Sequence, residues 1–185
     1  MFRAGLSGTN WTGKTETIRR FVKEHPELDI KMFSLSSLVA QCPFPMIEEQ
    51  TLEGSLWMIE QARALCQEDG AEILLFDRTP VDILAFTLYA ESRTVIENAS
   101  IIENILELVR CFDILFYLPV SSEWPLNSSG SQHRIDFARL MDFYIQKVIN
   151  HFKLDVVSLP WGLAERQRLL CEYLSVSPIG QKRGR

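Results

Sequence analysis

The sequence predicts an α/β fold, a parallel sheet layered between helices, from three observations. Short apolar runs at residues 2–6, 30–35, 71–76, 113–118 and 155–159 alternate along the chain with helical patterns, the order that builds parallel strands joined by crossover helices. Runs such as A-E-I-L-L-F at 71–76 and D-I-L-F-Y-L at 113–118 are nearly continuous in apolar character, as strands covered on both faces are. The first run leads through a glycine-containing loop into a helical pattern, and open parallel sheets seat their ligands at the carboxyl ends of such strands.

Each element follows from local sequence. Residues 2–6 form the first strand. Residues 12–24 carry Ile18, Phe21 and Val22 at helical spacing and stop before His25-Pro26, because proline excludes the helical conformation from the residue before it. Residues 30–35 are the second strand and 36–42 a short helix, with Pro43 and Pro45 punctuating the connection. Over 46–69 a long helix is expected from the stripe Ile47, Leu52, Leu56, Ile59, Ala62 and Leu65. Gly70 is its expected stop. Gly54 inside it costs about 1 kcal/mol against alanine and marks a kink or a close contact. The strand at 71–76 ends in Asp77, and Pro80 opens a helix to residue 90. Ile96, Ile101, Ile105, Leu108 and Val109 form the apolar side of a helix over 94–111, and Pro119 closes the strand at 113–118. Residues 121–132 hold Pro125, Asn127, Ser128, Ser129, Gly130 and Ser131; a mobile loop is expected, and with the following turns it makes a small lid over about 121–139. A helix at 135–152, a strand at 155–159 and a helix at 163–174 complete one domain, residues 1–175. Residues 176–185 are a flexible basic tail. The result is a three-layer sandwich on a parallel, about five-stranded sheet.

Length and composition bound the function. A chain of 185 residues is long enough to bury one sizeable core. A hydrophobic fraction of 46% and a charged fraction of 23% are ordinary for a soluble domain. The net charge of -5 argues against a nucleic-acid partner, which calls for a basic face. Cys42, Cys66, Cys111 and Cys171 are far apart and without metal spacing, so reduced, mostly buried thiols are expected. Neither a signal peptide nor a transmembrane segment is evident, and the first residues already enter the strand and loop. A cytoplasmic location is the default, and the N-x-[ST] triplets at Asn10, Asn98 and Asn127 carry no meaning there.

The chemistry concentrates in three places. Residues 8–15 spell G-x-x-x-x-G-K-T, the phosphate-binding P-loop, here between a strand and a helix as the motif requires. Gly8 and Gly13 let the backbone approach an anion, successive N–H groups form a nest, and the helix adds its positive end. The contacting set runs through Gly8, Thr9, Asn10, Trp11, Thr12, Gly13, Lys14 and Thr15 to Glu16. Lys14 places an ammonium on the β- and γ-phosphates, and the Thr15 hydroxyl holds Mg²⁺. Trp11 stands where a small residue is usual. It is either a wall over the nucleotide or an outward-facing aromatic packed on a neighbouring helix, and a positive φ there would cost about 1 kcal/mol or more.

The second place is F-D-R-T-P at 76–80. Asp77, at a strand end, either binds Mg²⁺ through water or takes a proton from an attacking hydroxyl, and Arg78 offers a planar fork for phosphate. The alternative is an Asp/Arg pair capping the next helix. The third is H-R-I-D at 133–136 with Arg139 one turn on. Arg134 and Arg139 either close over the transferring phosphoryl group or sit on a solvated helix start; His133 is read as a bystander. Glu48, Glu49 and Gln50 either meet an acceptor across the cleft or favour the dipole of a helix start.

With these residues in view, the chain resembles the P-loop nucleotide and nucleoside kinase superfamily, and more closely the small NadR-like ATPase/kinase group. The shared pieces are L-S-G-T-N-W-T-G-K-T at 6–15, E-E-Q-T-L at 48–52, F-D-R-T-P-V-D-I-L-A-F at 76–86 and H-R-I-D at 133–136. The resemblance implies a thymidylate-kinase-like fold with the P-loop strand central, and ATP or GTP with Mg²⁺ at residues 8–15. It implies Asp77 on the metal or acceptor, Arg78 on the acceptor or phosphate, and Arg134 over the phosphates. Asp82 matches a family acidic position or stabilises its helix. Trp11 and the sparse lid arginines depart from the pattern. The expected activity is transfer of the γ-phosphoryl group to a nucleoside, nucleotide or similar small acceptor. The alternative is a nucleotide-binding switch or weak ATPase acting through a protein partner. The expected partners are the nucleotide and the small acceptor, with a homodimer compatible and no membrane.

Overall fold

The computed structural model describes residues 1–94, 99–120 and 132–174. Most of the expected lid loop, Asn98, Asn127 and the tail lie outside these. The elements are β1 (Phe2–Ser7), α1 (Lys14–Glu24), β2 (Ile30–Ser34), α2 (Leu35–Leu38), single 3-10 turns at Val39–Gln41 and Ile47–Glu49, α3 (Leu52–Cys66), β3 (Ile73–Asp77), α4 (Pro80–Thr94), α5 (Ala99–Val109), β4 (Ile114–Tyr117), α6 (Gln132–His151), β5 (Val157–Ser158) and α7 (Leu163–Leu174).

Five strands form one parallel sheet in the order β2-β3-β1-β4-β5. Side chains alternate across it. Ala4 and Leu6 of β1, Leu75 of β3 and Phe116 of β4 meet Ile18 and Phe21 of α1 and Leu170 and Leu174 of α7. Leu115 and Tyr117 of β4 turn to the other face, with Met58 and Ile59 of α3, Leu84 of α4, Ile105 of α5 and Met141 of α6. These two apolar layers make the three-layer sandwich. The register sets Leu6 and Ser34 beside Asp77, and Ser7 beside Tyr117. The carboxyl ends of four strands therefore converge at the loop after β1, where a parallel sheet binds its ligand.

Gly5 explains how closely β1 is covered. A Cβ there would lie 2.5 Å from Thr79 Cγ2 and 2.8 Å from Phe112 Cε1. Gly5→Ala is expected to lower stability by about 1–3 kcal/mol through overpacking, measured as a reduced urea midpoint; an unchanged midpoint would show that Thr79 and Phe112 yield freely.

Several expected boundaries move. The helix over 46–69 divides: Ile47 has φ 66, Gln50 is extended at φ -43 and ψ 132, and α3 starts after Thr51, whose Oγ1 accepts from Gly54 N at 3.1 Å. A local N-cap overrides a continuing apolar stripe. Of the expected stripe, Ile59 and Ala62 are buried and Leu52 and Leu65 pack partly buried against the core, but Ile47 and Leu56 are exposed. Leu56 is 45% exposed, and the buried face of α3 runs through Gly54, Ser55, Met58, Ile59, Ala62 and Cys66, of which Gly54 and Ser55 escape an apolar count. A Cβ on Gly54 would come within 2.7 Å of Met46 Sδ, the close contact its position implied. Gly70 (φ 91) lies beyond the helix end, which Gln67 caps instead. All four cysteines are free, but only Cys66 is buried; Cys111 is exposed. Among the described residues no helix is long and apolar enough to cross a membrane.

Candidate active site

The loop after β1 folds as an anion cradle. Gly8 (φ 148) passes so near β4 that a Cβ would meet Leu118 O at 2.6 Å, and Gly13 (φ 87) is the N-cap of α1. Glycine alone adopts both without strain. No side chain caps α1 at Gly13, which leaves helix N–H groups for an external anion. Inside the loop the Thr12 hydroxyl donates to Thr9 O at 3.0 Å. Trp11 has φ 62 and is 47% exposed, so the positive-φ cost is present and about half of the residue is covered.

Lys14 is buried at 6% exposure and folds back to donate to Thr9 O at 2.6 Å. Burial, and after it the positive charge of Arg78, pull its ammonium down from 10.5 to about 7, while Asp82 and Asp77 oppose them. A buried cation held on neutral oxygens is suited to an incoming anion.

The motif at 76–80 builds the wall beside it. Asp77, 2% exposed at the end of β3, accepts from Thr15 Oγ1 at 2.5 Å. The next turn carries Arg78 at φ 75, a backbone cost of the kind that gathers at functional sites. Its guanidinium donates to Asp82 Oδ1 at 3.4 Å and to Asn10 Oδ1 of the loop, and lies 5.8 Å from the Phe86 ring centroid. Thr79 and Asp82 form a capping box on α4: Thr79 Oγ1 accepts from Val81 N at 3.1 Å, and Asp82 Oδ2 accepts from Thr79 N at 3.0 Å. Asp82 Oδ1 also accepts from Gly8 N at 3.2 Å. Asp82 thus stabilises its helix and pins the loop at once. The signal for this was in the sequence, as T-P-V-D after a strand.

Arg166 of α7 was not foreseen. It is 4% exposed, and its Nη1 donates to Thr12 O at 2.9 Å and Thr17 Oγ1 at 3.2 Å while its Nε donates to Pro160 O at 2.7 Å. Beside it Gln167 Nε2 donates to Thr17 O at 2.9 Å. The run E-R-Q-R in an amphipathic helix reads as a solvated face, and periodicity gives no sign that two of its polar residues are buried.

Arg134, Arg139 and Glu16 are exposed, and neither arginine makes a hydrogen bond or ion pair with the described residues. His133, read as a bystander, lies with its Nε2 2.8 Å from Glu48 Oε2 on the surface. Glu49 is exposed, whereas Gln50 is buried and lines a cavity.

That cavity, of about 130 Å³, lies against the loop. Leu35, Val39, Met58, Ile83 and Phe86 give apolar walls, and Asn10, Gln50, Arg78, Thr79 and Asp82 add polar groups. The Gln50 amide donates to Ser55 Oγ at 3.1 Å and accepts from Ile47 N at 3.3 Å, which leaves one N–H and one lone pair of its inventory without a partner among the described residues. Among the described residues no cluster of three or more His, Cys, Asp or Glu side chains is placed to hold a metal. Thr15 and Asp77 supply two hard oxygen donors side by side, the type of partial shell that Mg²⁺ completes with water and phosphate.

No family model matches the chain. No curated protein matches it either. Among solved structures it is similar to deoxyadenosine kinase from M. mycoides with the products dCMP and a flexible dCDP bound, at TM-score 0.62 and 14% identity over 94% of this chain and 98% of that one. It is also similar to the same enzyme with bound dATP, at TM-score 0.57 and 13% identity over 95% and 100%. The chain has the fold of these kinases.

Proposed function

We propose that this protein is a phosphotransferase that moves the γ-phosphoryl group of ATP to a neutral, ring-bearing small acceptor of the nucleoside class. The observation that carries this is the cavity beside the P-loop, which Asn10, Arg78 and Asp82 join to the phosphate cradle. A second small-molecule pocket at that place favours an acceptor over a switch or simple ATPase. The nucleoside-kinase fold of the similar structures supports the same reading, and the finer kinship with the NadR-like group rests on the motifs at 6–15, 48–52, 76–86 and 133–136.

The acceptor class follows from the lining. A dry cavity of about 150 Å³ accepts one aromatic ring in another protein, and this one is of that scale. Gln50 offers an amide edge to a heterocycle. Among the described lining residues Arg78 is the one cation, and Asp82 and Asn10 already engage it. An acceptor with its own phosphate would need a further cation.

In the reaction the acceptor hydroxyl oxygen bonds to the γ-phosphorus as the bond from that phosphorus to the β,γ-bridging oxygen breaks, giving ADP and a proton. Lys14 and the loop N–H groups hold the β- and γ-phosphates. Mg²⁺, held by Thr15 and Asp77, would neutralise phosphate charge. Asp77 either serves that metal or takes the acceptor proton, and Arg78 faces the phosphoryl group from the pocket.

The test sets nucleosides against their 5′-monophosphates as acceptors, following ADP. Nucleosides are expected to be phosphorylated, and Gln50→Ala to raise their KM by about tenfold with the KM for ATP unchanged. Turnover of monophosphates alone would overturn the neutral-acceptor assignment.

A further inference from the structure

Arg166 is a buried cation with no carboxylate within ion-pair distance among the described residues. Every oxygen it meets, Thr12 O, Thr17 Oγ1 and Pro160 O, is neutral. A buried charge without a counter-charge is costly, and this one lies directly beneath the phosphate cradle. Its Nη1 would be 3.0 Å from a Cβ on Gly13.

The peptide geometry says what it does there. Across a planar trans peptide the C=O and the next N–H point in opposite directions. With the Thr12 carbonyl held by Arg166 from the α7 side, the Gly13 N–H is turned away from α7. That N–H makes no hydrogen bond with the described residues. We propose that Arg166 is a positioning residue of the phosphate site: it fixes the Thr12–Gly13 peptide so that the Gly13 N–H faces the nucleotide's phosphates, and its counter-ion is the bound polyphosphate. The planar fork matters, because Nε is anchored on Pro160 O while Nη1 holds the loop. This inference takes its ligand from the phosphotransferase reading above.

The test is calorimetric binding of ATP and of inorganic tripolyphosphate to wild type, Arg166→Gln, Arg166→Lys, Gln167→Ala and Lys14→Ala. Arg166→Gln is expected to weaken both ligands by about tenfold or more, with the KM for the acceptor unmoved in the residual activity. Arg166→Lys keeps the charge without the fork and is expected to recover only part of the loss. Gln167→Ala removes the neighbouring tie of α7 to α1 and is expected to lower the Tm with phosphate affinity intact. Wild-type affinity in Arg166→Gln or Arg166→Lys would overturn the inference. So would an equal loss in Gln167→Ala, which would make Arg166 a brace between helices. If Arg166→Gln does not fold, Arg166→Lys and Gln167→Ala decide. Tight ATP binding by Lys14→Ala would instead sink the phosphotransferase reading itself, a separate failure.

Discussion

Lys14→Met is expected to lower phosphoryl transfer by about 10³-fold or more and to abolish tight ATP binding while leaving the fold intact. The same variant carries a signature in stability. The folded ammonium is pulled from 10.5 down to about 7, chiefly by burial. Below about pH 7 both folded and unfolded chains hold this proton, and the burial cost of the charge is fully present. Between about 7 and 10.5 the unfolded chain binds the proton more strongly, so wild-type stability rises with pH, by at most about 1.4 kcal/mol per unit from this group. Lys14→Met lacks that slope. Urea unfolding near pH 6.5 and near pH 9 would reveal it: wild type gains stability relative to the variant at the higher pH. A constant difference would mean that Lys14 is not held as a costly charge. ATP binding above about pH 7 should then also take up a proton, because the phosphates restore the ammonium.

Asp77→Asn is the second large effect expected. The amide matches the carboxylate in shape, and its carbonyl oxygen can still accept from the Thr15 hydroxyl, so the wall of the site should stand. What disappears is the negative charge beside Thr15, and with it the ligand for the metal or the proton acceptor. A fall in kcat of about 10²–10⁴-fold is expected, with ATP still bound and a raised Mg²⁺ requirement. Steady-state rates against Mg²⁺ concentration check this. Retention of kcat would place the charge requirement elsewhere, with Asp82 as the next residue to test.

Much of this site is legible in the sequence because its parts are local. The P-loop spacing depends on backbone conformations at Gly8 and Gly13 that only glycine supplies freely, and a spacing of that kind survives in one dimension. The strands read clearly because a sheet covered on both faces needs near-continuous apolar runs. The D-R-T-P-x-D stretch is contiguous, with Asp77 and Arg78 meeting Thr15 and Asn10 of the loop and Thr79 and Asp82 forming a local cap. Other features are not local. Arg166 reaches the loop from a helix more than a hundred residues away in sequence, and its polar neighbourhood disguises its burial. The buried face of α3 includes Gly54 and Ser55 beside its apolar residues, and the value of Gly54 lies in how closely Met46 approaches it rather than in hydrophobicity. The pairing of His133 with Glu48 likewise depends on where α6 crosses the turn before α3, which no local pattern encodes.

The most direct measurement follows the label from ATP carrying ³²P at the γ-position, with Mg²⁺ and a mixed pool of nucleosides and nucleoside monophosphates. Label is expected on a nucleoside, dependent on Lys14. Label released only as inorganic phosphate, at a rate indifferent to the pool, would contradict the phosphotransferase assignment and leave a nucleotide switch or ATPase in its place.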